Sequence, residues 1–392
     1  MRIDELDAGR GLRALKFSPE ETPHATVETN RTCNIRCRCC YNLEKNYVKP
    51  LDEVKRDIDL ILSKRNLQVM TVLGGEPTLY PHLVEIVGYI KNKKIFCQLL
   101  TNGVVFLTTD GSRLLDALIE AGLDKILVHI DSGQRHVHAD IDEARRNIFA
   151  LLEGKKVLFS LSVTLYNGES GILPELVRAY SRFAYFDGIL AVLARDARPP
   201  AIQNVRLEEI HRSLAQDLRV RPAAYIPSHR DDRYASWLFY YYFLSGKTGE
   251  TFDLSPRLDH FFRKLYRFVK RRHLFIVKIR PASAPMLFLA AGLAEAVIHP
   301  LKTQAFIRVL RLSLAFGNLR FHDIAVQTPP DILDPTKPVH LCLSCPDATV
   351  RHGKLTPVCI ADLVRPLPGV SPDGPLRADL LEVADACLGA IS

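Results

Sequence analysis

The stretch Glu28-Thr-Asn-Arg-Thr-Cys33-Asn-Ile-Arg-Cys37-Arg-Cys39-Cys40-Tyr-Asn42 grows out of a short apolar run at 25–29 and places four of the nine cysteines between positions 33 and 40. Cys33, Cys37 and Cys40 have the spacing CxxxCxxC. Three thiolates on one compact loop hold three irons of a four-iron, four-sulfur cubane and leave the fourth iron open to a small molecule. Four-cysteine ligation is the usual arrangement, so a three-cysteine loop points to a cluster that does chemistry. The alternative is a zinc knuckle using Cys39 as well, but zinc loops favour CxxC pairs.

Working outward, apolar runs at 25–29, 69–73, 96–100, 126–130, 157–163 and 189–193 alternate with helical patterns at 51–64, 82–93, 112–121, 141–153 and 173–183. Such alternation predicts a parallel sheet flanked by helices, and six units curve it part-way into a barrel. Ligands in parallel α/β folds sit at the carboxyl ends of the strands. The cysteine loop follows the first run, and Gly74-Gly75-Glu76-Pro77 follows the second. Glycines there admit close backbone approach to a ligand, and Glu76 offers a carboxylate to an ammonium group.

These paired motifs resemble the signatures of the radical S-adenosylmethionine (radical SAM) enzymes over about residues 23–195. The resemblance implies a partial (β/α)6 parallel barrel of the α/β class. It also implies that Cys33, Cys37 and Cys40 hold a [4Fe-4S] cluster, and that Gly74, Gly75 and Glu76 receive the methionyl amine of S-adenosylmethionine. Reductive cleavage of that cofactor gives a 5′-deoxyadenosyl radical that abstracts hydrogen. Asn102 in Thr101-Asn102-Gly103, Asp131 after His129-Ile130, and Ser162 resemble loops that touch the ribose. On their own, Thr-Asn-Gly is a turn signal and Asp131 a cap or turn residue.

The domain reading is an N-terminal extension (1–22), the barrel (23–200), a mostly helical basic and aromatic insertion (201–338) with a linker at 329–338, and a small cysteine-rich C-terminal region (339–392). In the last, Cys342, Cys345 and Cys359 resemble an auxiliary [4Fe-4S] site, with zinc as the alternative. Cys387 is a candidate fourth ligand whose helical setting favours a core role, and His340 is another. The seven-cysteine pattern of peptide-modifying members is absent. Tyr166, Tyr185 and Tyr225 are unranked candidates for quenching a product radical.

The chain has 392 residues, 47% hydrophobic and 24% charged, a balance that excludes disordered, collagen-like and polytopic membrane classes. The segment 1–21 lacks a signal-peptide core, so a cytoplasmic location is expected. The formal charge is +8, and residues 247–320 carry 14 Lys/Arg against four acids. Within that stretch, 257–273 sets Leu258, Phe261, Phe262, Leu265 and Val269 against Arg257, Arg263, Lys264, Arg267, Lys270 and Arg271. Residues 301–316 group Phe306, Val309, Leu310 and Leu314 opposite Arg308 and Arg311. Trp237–Leu244 and Pro285–Ala294 are apolar but too short to span a bilayer. Basic amphipathic helices suit an anionic membrane surface. The expectation is therefore a radical enzyme, peripheral at the inner face of the cytoplasmic membrane. It would functionalise a C–H bond of a lipid or other hydrophobic substrate by C–C bond formation, adenosylation or methylation, with flavodoxin or ferredoxin as electron donor. RNA or peptide modification is the alternative, nucleic acid being disfavoured because the aromatics fall on apolar faces. A non-catalytic zinc module is the minor one.

Overall fold

The computed structural model describes residues 2–7, 11–42, 46–195, 205–246, 248–316, 318–332, 338–367 and 379–389. The linker expected at 329–338 lies partly outside them. After the short helix α1 (Ile3–Asp7) and the two-residue strand β1 (Arg13–Ala14), six strands appear where the alternation places them. They are β2 (His24–Glu28), β3 (Val69–Leu73), β4 (Phe96–Thr101), β5 (Lys125–His129), β6 (Leu158–Leu165) and β7 (Phe186–Leu193). They pair in parallel in that order. Helices α2 (Leu51–Lys64), α3 (Leu83–Asn92), α4 (Thr109–Glu120), α5 (Ile141–Gly154) and α6 (Ile172–Tyr180) connect them. Each of these helices turns its apolar stripe inward. In α2, for example, Val54, Ile58 and Ile61 are fully buried, as a helix covering a sheet requires.

The insertion is less helical than expected. After α7 (Leu207–Ser213) come β8 (Ala224–Pro227), β9 (Ala235–Ser245), β10 (Thr251–Asp253) and, after three helices, β11 (Leu319–Gln327). Strand β11 extends the parallel series beside β7, β9 runs antiparallel to β11, and β8 runs antiparallel to β9. The run WLFYYYFL is therefore a strand. Every residue of β9 is buried because both its faces are covered. Leu238, Tyr240, Tyr242 and Leu244 join the barrel core. Trp237, Phe239, Tyr241 and Phe243 join a second, aromatic core on the concave side.

That second core is capped by a layer of three helices, α8 (Pro256–Lys270), α9 (Ala284–Ile298) and α10 (Thr303–Phe316). Phe243 packs on Phe288 of α9, and Phe252 on Phe306 of α10. Arg263 of α8 donates to the Tyr241 hydroxyl at 2.9 Å. The loop after α8 reaches beneath the barrel, where the Gln68 carboxamide accepts from the Ile276 amide at 3.0 Å and Lys278 pairs with Asp124 at 2.7 Å. Gln68 and Asp124 immediately precede β3 and β5. The helical layer thus closes the pole of the barrel opposite the carboxyl ends of the parallel strands.

The C-terminal region is a hairpin, β12 (Ala348–Arg351) with β13 (Lys354–Pro357), followed by α11 (Ala361–Val364) and α12 (Leu380–Leu388). It packs along β2. The Thr26 hydroxyl donates to the Ala348 carbonyl at 3.2 Å, and Arg65, just past α2, donates to the carbonyls of Ser344 and Cys345.

Candidate active site

Inside the sheet lies a chamber of about 320 Å³. Cys33, Cys37 and Cys40 line its mouth, and Cys342, Cys345 and Cys359 line its wall. The two cysteine groups, far apart in sequence, therefore face one space.

The cysteine loop is fixed at its root by backbone pairing. The amide of Thr29 donates to the Leu73 carbonyl at 3.0 Å, and that of Arg31 to the Tyr47 carbonyl at 2.6 Å. The glycine pair after β3 closes on the same loop. Gly75 and Glu76 amides donate to the carbonyls of Asn30 (2.7 Å) and Thr32 (2.8 Å). A Cβ on Gly74 would stand 2.4 Å from the Asn30 oxygen, and one on Gly75 2.2 Å from the Arg31 oxygen. The expectation was close approach to a ligand. What demands glycine in this structure is close approach to the cysteine loop itself. Side chains at 74 and 75 would push the loop away from β3.

Glu76 is 1% exposed, and its carboxylate is held from several sides. Oε1 accepts from the Thr78 amide (3.0 Å) and from the hydroxyls of Thr78 and Thr101 (both 2.6 Å), while Oε2 accepts from the Asn102 amide (2.8 Å). Burial still pushes the carboxyl above its usual range, against the pull of those donors. A neighbouring positive charge would favour the ionised form. Asn102 extends the brace, its amide nitrogen donating to the Asn34 side chain at 2.7 Å.

Among the other expected ribose contacts, Ser162 lines the chamber. Its hydroxyl meets His129 Nδ1 at 3.2 Å, and Nε2 of that ring lies 3.3 Å from Asp131 Oδ2. Asp131 is 1% exposed and accepts from the amides of Gly133 (2.8 Å) and Thr164 (2.9 Å). Its carboxylate ties β5 to β6 and reaches the chamber through His129, which lines it.

Donors are also in place for the cluster ligands. Gln134 Nε2 donates to Cys37 Sγ at 3.3 Å. Burial, with Cys40 beside it, pushes the Cys37 thiol up to about 12, so a thiolate there calls for a metal to hold it. Among the described residues, no three Cys, His, Asp or Glu side chains converge on the position of a single ion. A cubane spreads its ligands over separate irons, so the three-thiol loop fits the cluster better than a zinc knuckle.

At the C-terminal group the Cys387 thiol donates to the Ala384 carbonyl of its own helix at 3.2 Å, as its helical setting leads one to expect. Cys387 on α12 is 2% exposed, yet the thiols of Cys345 and Cys359 count it, with Cys342, among the nearby groups that burial and mutual repulsion push well above the ordinary range. Cys387 is thus an electrostatic neighbour of the other three cysteines. His340 is turned away, its Nδ1 2.8 Å from the Ser228 hydroxyl. Arg65 stands beside the group with no carboxylate bonded to it among the described residues, and burial lowers its guanidinium to about 10.

The two groups are joined by a four-charge knot. Arg31 pairs with Glu28 and Asp362, and Arg351 pairs with Glu28 at 2.7 Å and Asp362 at 3.2 Å. All four residues are at most 3% exposed. Asp362 and Arg351 belong to the C-terminal region, while Glu28 and Arg31 root the cysteine loop.

Sequence reading missed this knot and the charged chamber floor. Lys125 pairs with Asp187 at 2.8 Å, and Asp323 on β11 lines the chamber nearby. Burial, reinforced by Asp187 and opposed by Lys125, raises the Asp323 carboxyl to about 7. A charge inside each of three buried strands is the signal that marks them.

Residues 27–167 match the Radical SAM superfamily model. Over 112 residues the chain is 30% identical to a probable GTP 3′,8-cyclase of Pyrococcus abyssi (strain GE5 / Orsay), covering 28% of this chain and 35% of that protein. Over 110 residues it is 33% identical to an S-adenosylmethionine-dependent nucleotide dehydratase of a Thermoplasmatales archaeon (strain ISO4-H5), covering 28% and 37%. It is 36% identical over 110 residues to the GTP 3′,8-cyclase of Microcystis aeruginosa (strain NIES-843 / IAM M-2473), covering 26% and 32%. The chain thus spans about a third of the length of these relatives. The crystal structure of Streptococcus suis SuiB bound to S-adenosylmethionine superposes with a TM-score of 0.40 at 13% identity, covering 47% of this chain and 44% of that one. The segment that matches the radical SAM superfamily model, residues 27–167, is the one that carries both motifs.

Proposed function

We propose that this chain is a radical SAM enzyme whose substrate binds in the chamber between the two cysteine groups, with its reactive C–H bond toward the mouth. The observation that carries the reading is the shared lining: Cys33, Cys37 and Cys40 on one side of a single cavity, Cys342, Cys345 and Cys359 on another. Cys33, Cys37 and Cys40 would hold the [4Fe-4S] cluster that, with S-adenosylmethionine, supplies a hydrogen-abstracting 5′-deoxyadenosyl radical. The protein's part is orientation and exclusion of water. The glycine pair sets the depth of the cysteine loop, Glu76 presents a buried carboxylate toward the cofactor's ammonium group, and His129 and Ser162 face the space a ribose would occupy. Cys342, Cys345 and Cys359, with Cys387 as fourth ligand, suit an auxiliary [4Fe-4S] cluster, to which Arg65 offers a positive charge. A one-electron donor such as flavodoxin or ferredoxin feeds the first cluster.

The substrate we favour carries hydrogen-bonding groups, as a nucleotide or a peptide does. His24, Thr71, Gln98, Lys125, Ser160 and Asp323 line the lower chamber, a polar and partly charged lining whose loss of water a bare hydrocarbon would not offset. The names of the relatives, GTP cyclases and a nucleotide dehydratase, support the same class. The hydrophobic substrate expected from composition keeps one specific support, the aromatic wall of Trp237, Phe239 and Phe275.

The test is anaerobic purification followed by iron counting, an assay for 5′-deoxyadenosine, and mass spectrometry of aqueous and organic extracts. About eight irons per chain with a bound nucleotide or peptide supports the favoured reading. A stoichiometric lipid in the organic phase replaces it with the hydrophobic one. Zinc in place of iron defeats both.

A further inference from the structure

Helix α8 is built the wrong way round for a helix of a soluble core. Its buried residues are Leu258, Asp259 and Arg263. Arg263 donates to Asp259 Oδ2 at 2.7 Å, to the Leu274 carbonyl at 2.6 Å and to Tyr241. The arginine expected on the solvent face thus anchors the helix, and the apolar stripe faces outward. Phe261 is 57% exposed, Phe268 70% and Val269 62%, interleaved with exposed Lys264, Arg267 and Lys270.

The neighbouring helix repeats the pattern. In α9, Phe288 and Ala291 are buried against the aromatic core and Glu295 accepts from the Ser255 amide at 2.5 Å. Met286, Leu293 and Val297 are 75%, 62% and 83% exposed, at spacings that put them on one stripe. The segment Pro281–Ile298 has a mean hydropathy of 1.5 over 18 residues, with 28% of it buried. Its buried side fastens it to the domain, so it lies along the surface. Leu301 (96%) and Leu314 (78%) continue the exposed apolar surface to α10, beside Arg308 and Arg311. Of the large hydrophobics exposed among the described residues, most fall between Phe261 and Leu314. Soluble monomers seldom leave so large a contiguous apolar surface without a partner.

We propose that the outer face of α8, α9 and α10 docks on an anionic lipid bilayer, with the apolar stripes at the level of the acyl chains and the basic residues among the headgroups. Charge decides the occupant. Lys264, Arg267, Lys270, Arg271, Lys278 and Arg280 fringe the apolar stripes, and the outer face of this layer presents no exposed acid between Arg257 and Arg311. A second copy of the chain would set these cations against one another, whereas an anionic surface attracts each of them. Arg280 also borders a groove over Met286 and Leu287, next to Lys278 in its pair with Asp124. The docked pole is opposite the cysteine loop, which leaves Cys33–Cys40 facing the solvent for its electron donor. This location stands apart from the substrate reading above.

The experiment is co-sedimentation of the full chain with phosphatidylcholine vesicles and with vesicles mixing phosphatidylcholine and phosphatidylglycerol. The comparison set is Phe268→Glu with Leu293→Glu, and separately Lys264→Ala with Lys270→Ala. All four side chains are exposed, so circular dichroism and melting temperature should match wild type. The expected result is binding to the mixed vesicles, lowered at least about tenfold by the two glutamates and about tenfold by the two alanines, the latter loss shrinking as salt rises. Failure of the wild-type chain to bind mixed vesicles at low salt overturns the proposal. So does equal binding by the glutamate variant. A wild-type dimer that the glutamates convert to a monomer, without vesicle binding, assigns the face to a second copy.

Discussion

Cys33, Cys37 and Cys40 share one partly exposed loop at the chamber mouth, whereas Cys342, Cys345, Cys359 and Cys387 come from three separate elements and lie near one another in the interior. The first group is local. Its geometry is set by eight residues, the glycine pair and Glu76, and it brings three thiols to one loop. The second exists only once the hairpin β12–β13 and α12 have packed along β2 and α2. A loop that leaves one position free suits chemistry on a bound molecule, and a closed set of four suits relay or bracing. The contrast rests on named residues, so it can be broken at each of them.

The largest effect is expected at the open group. Cys37→Ala should reduce S-adenosylmethionine cleavage to background and remove about four irons per chain while the second group keeps its own; parallel iron and 5′-deoxyadenosine measurements decide it. Next comes the knot between the groups. Arg351→Met leaves Glu28 and Asp362 short of a buried partner, and losing one member of a buried ion set costs about 3–5 kcal/mol. A urea melt should show that loss, together with weaker iron retention at the first group although no ligand has changed. A variant as stable as wild type would separate the two sites.

Cys387→Ala sharpens the closed half. Iron should fall by about four per chain, while the paramagnetic signal of the remaining reduced cluster still shifts when S-adenosylmethionine is added. Full iron retention would return Cys387 to a plain core role. The smallest effect belongs to Asp323, between the groups. Its carboxyl is raised to about 7, so the folded state holds a proton that the unfolded chain has released. That stabilisation is complete below the ordinary carboxylate range and is lost as pH rises through about 7. Asp323→Asn should leave the melting temperature unchanged near pH 4 and raise it by a few degrees at pH 8, on the order of 1 kcal/mol.

The same contrast explains what the sequence made legible. The alternation at 69–73 and 51–64 coincides with β3 and α2, because each is a local pattern, a short apolar run repeated between helices and a helical apolar period. The CxxxCxxC loop is readable for the same reason, being local. Strand β9 was not, since a run covered on both faces has no period to read; its aromatic richness was the one hint of a strand. In α8 the period was legible, but amphipathicity shows two faces, and only Arg263 reaching Tyr241 tells which is inside. Cys387 and the Glu28–Arg31–Arg351–Asp362 knot depend on tertiary closure, which spacing does not report.

The knot also sets a timetable. Glu28 leaves the ribosome 323 residues before Arg351, and Arg31 precedes Asp362 by 331. At roughly 5–20 residues per second of synthesis, the Glu28–Arg31 pair at the root of the cysteine loop waits tens of seconds for the second pair of charges that completes the knot. Throughout that interval Glu28 and Arg31 remain hydrated, and the loop above them lacks its final seat. A nascent chain halted before Arg351 thus carries its first three cysteines on a loop whose root has yet to receive half of its buried charges.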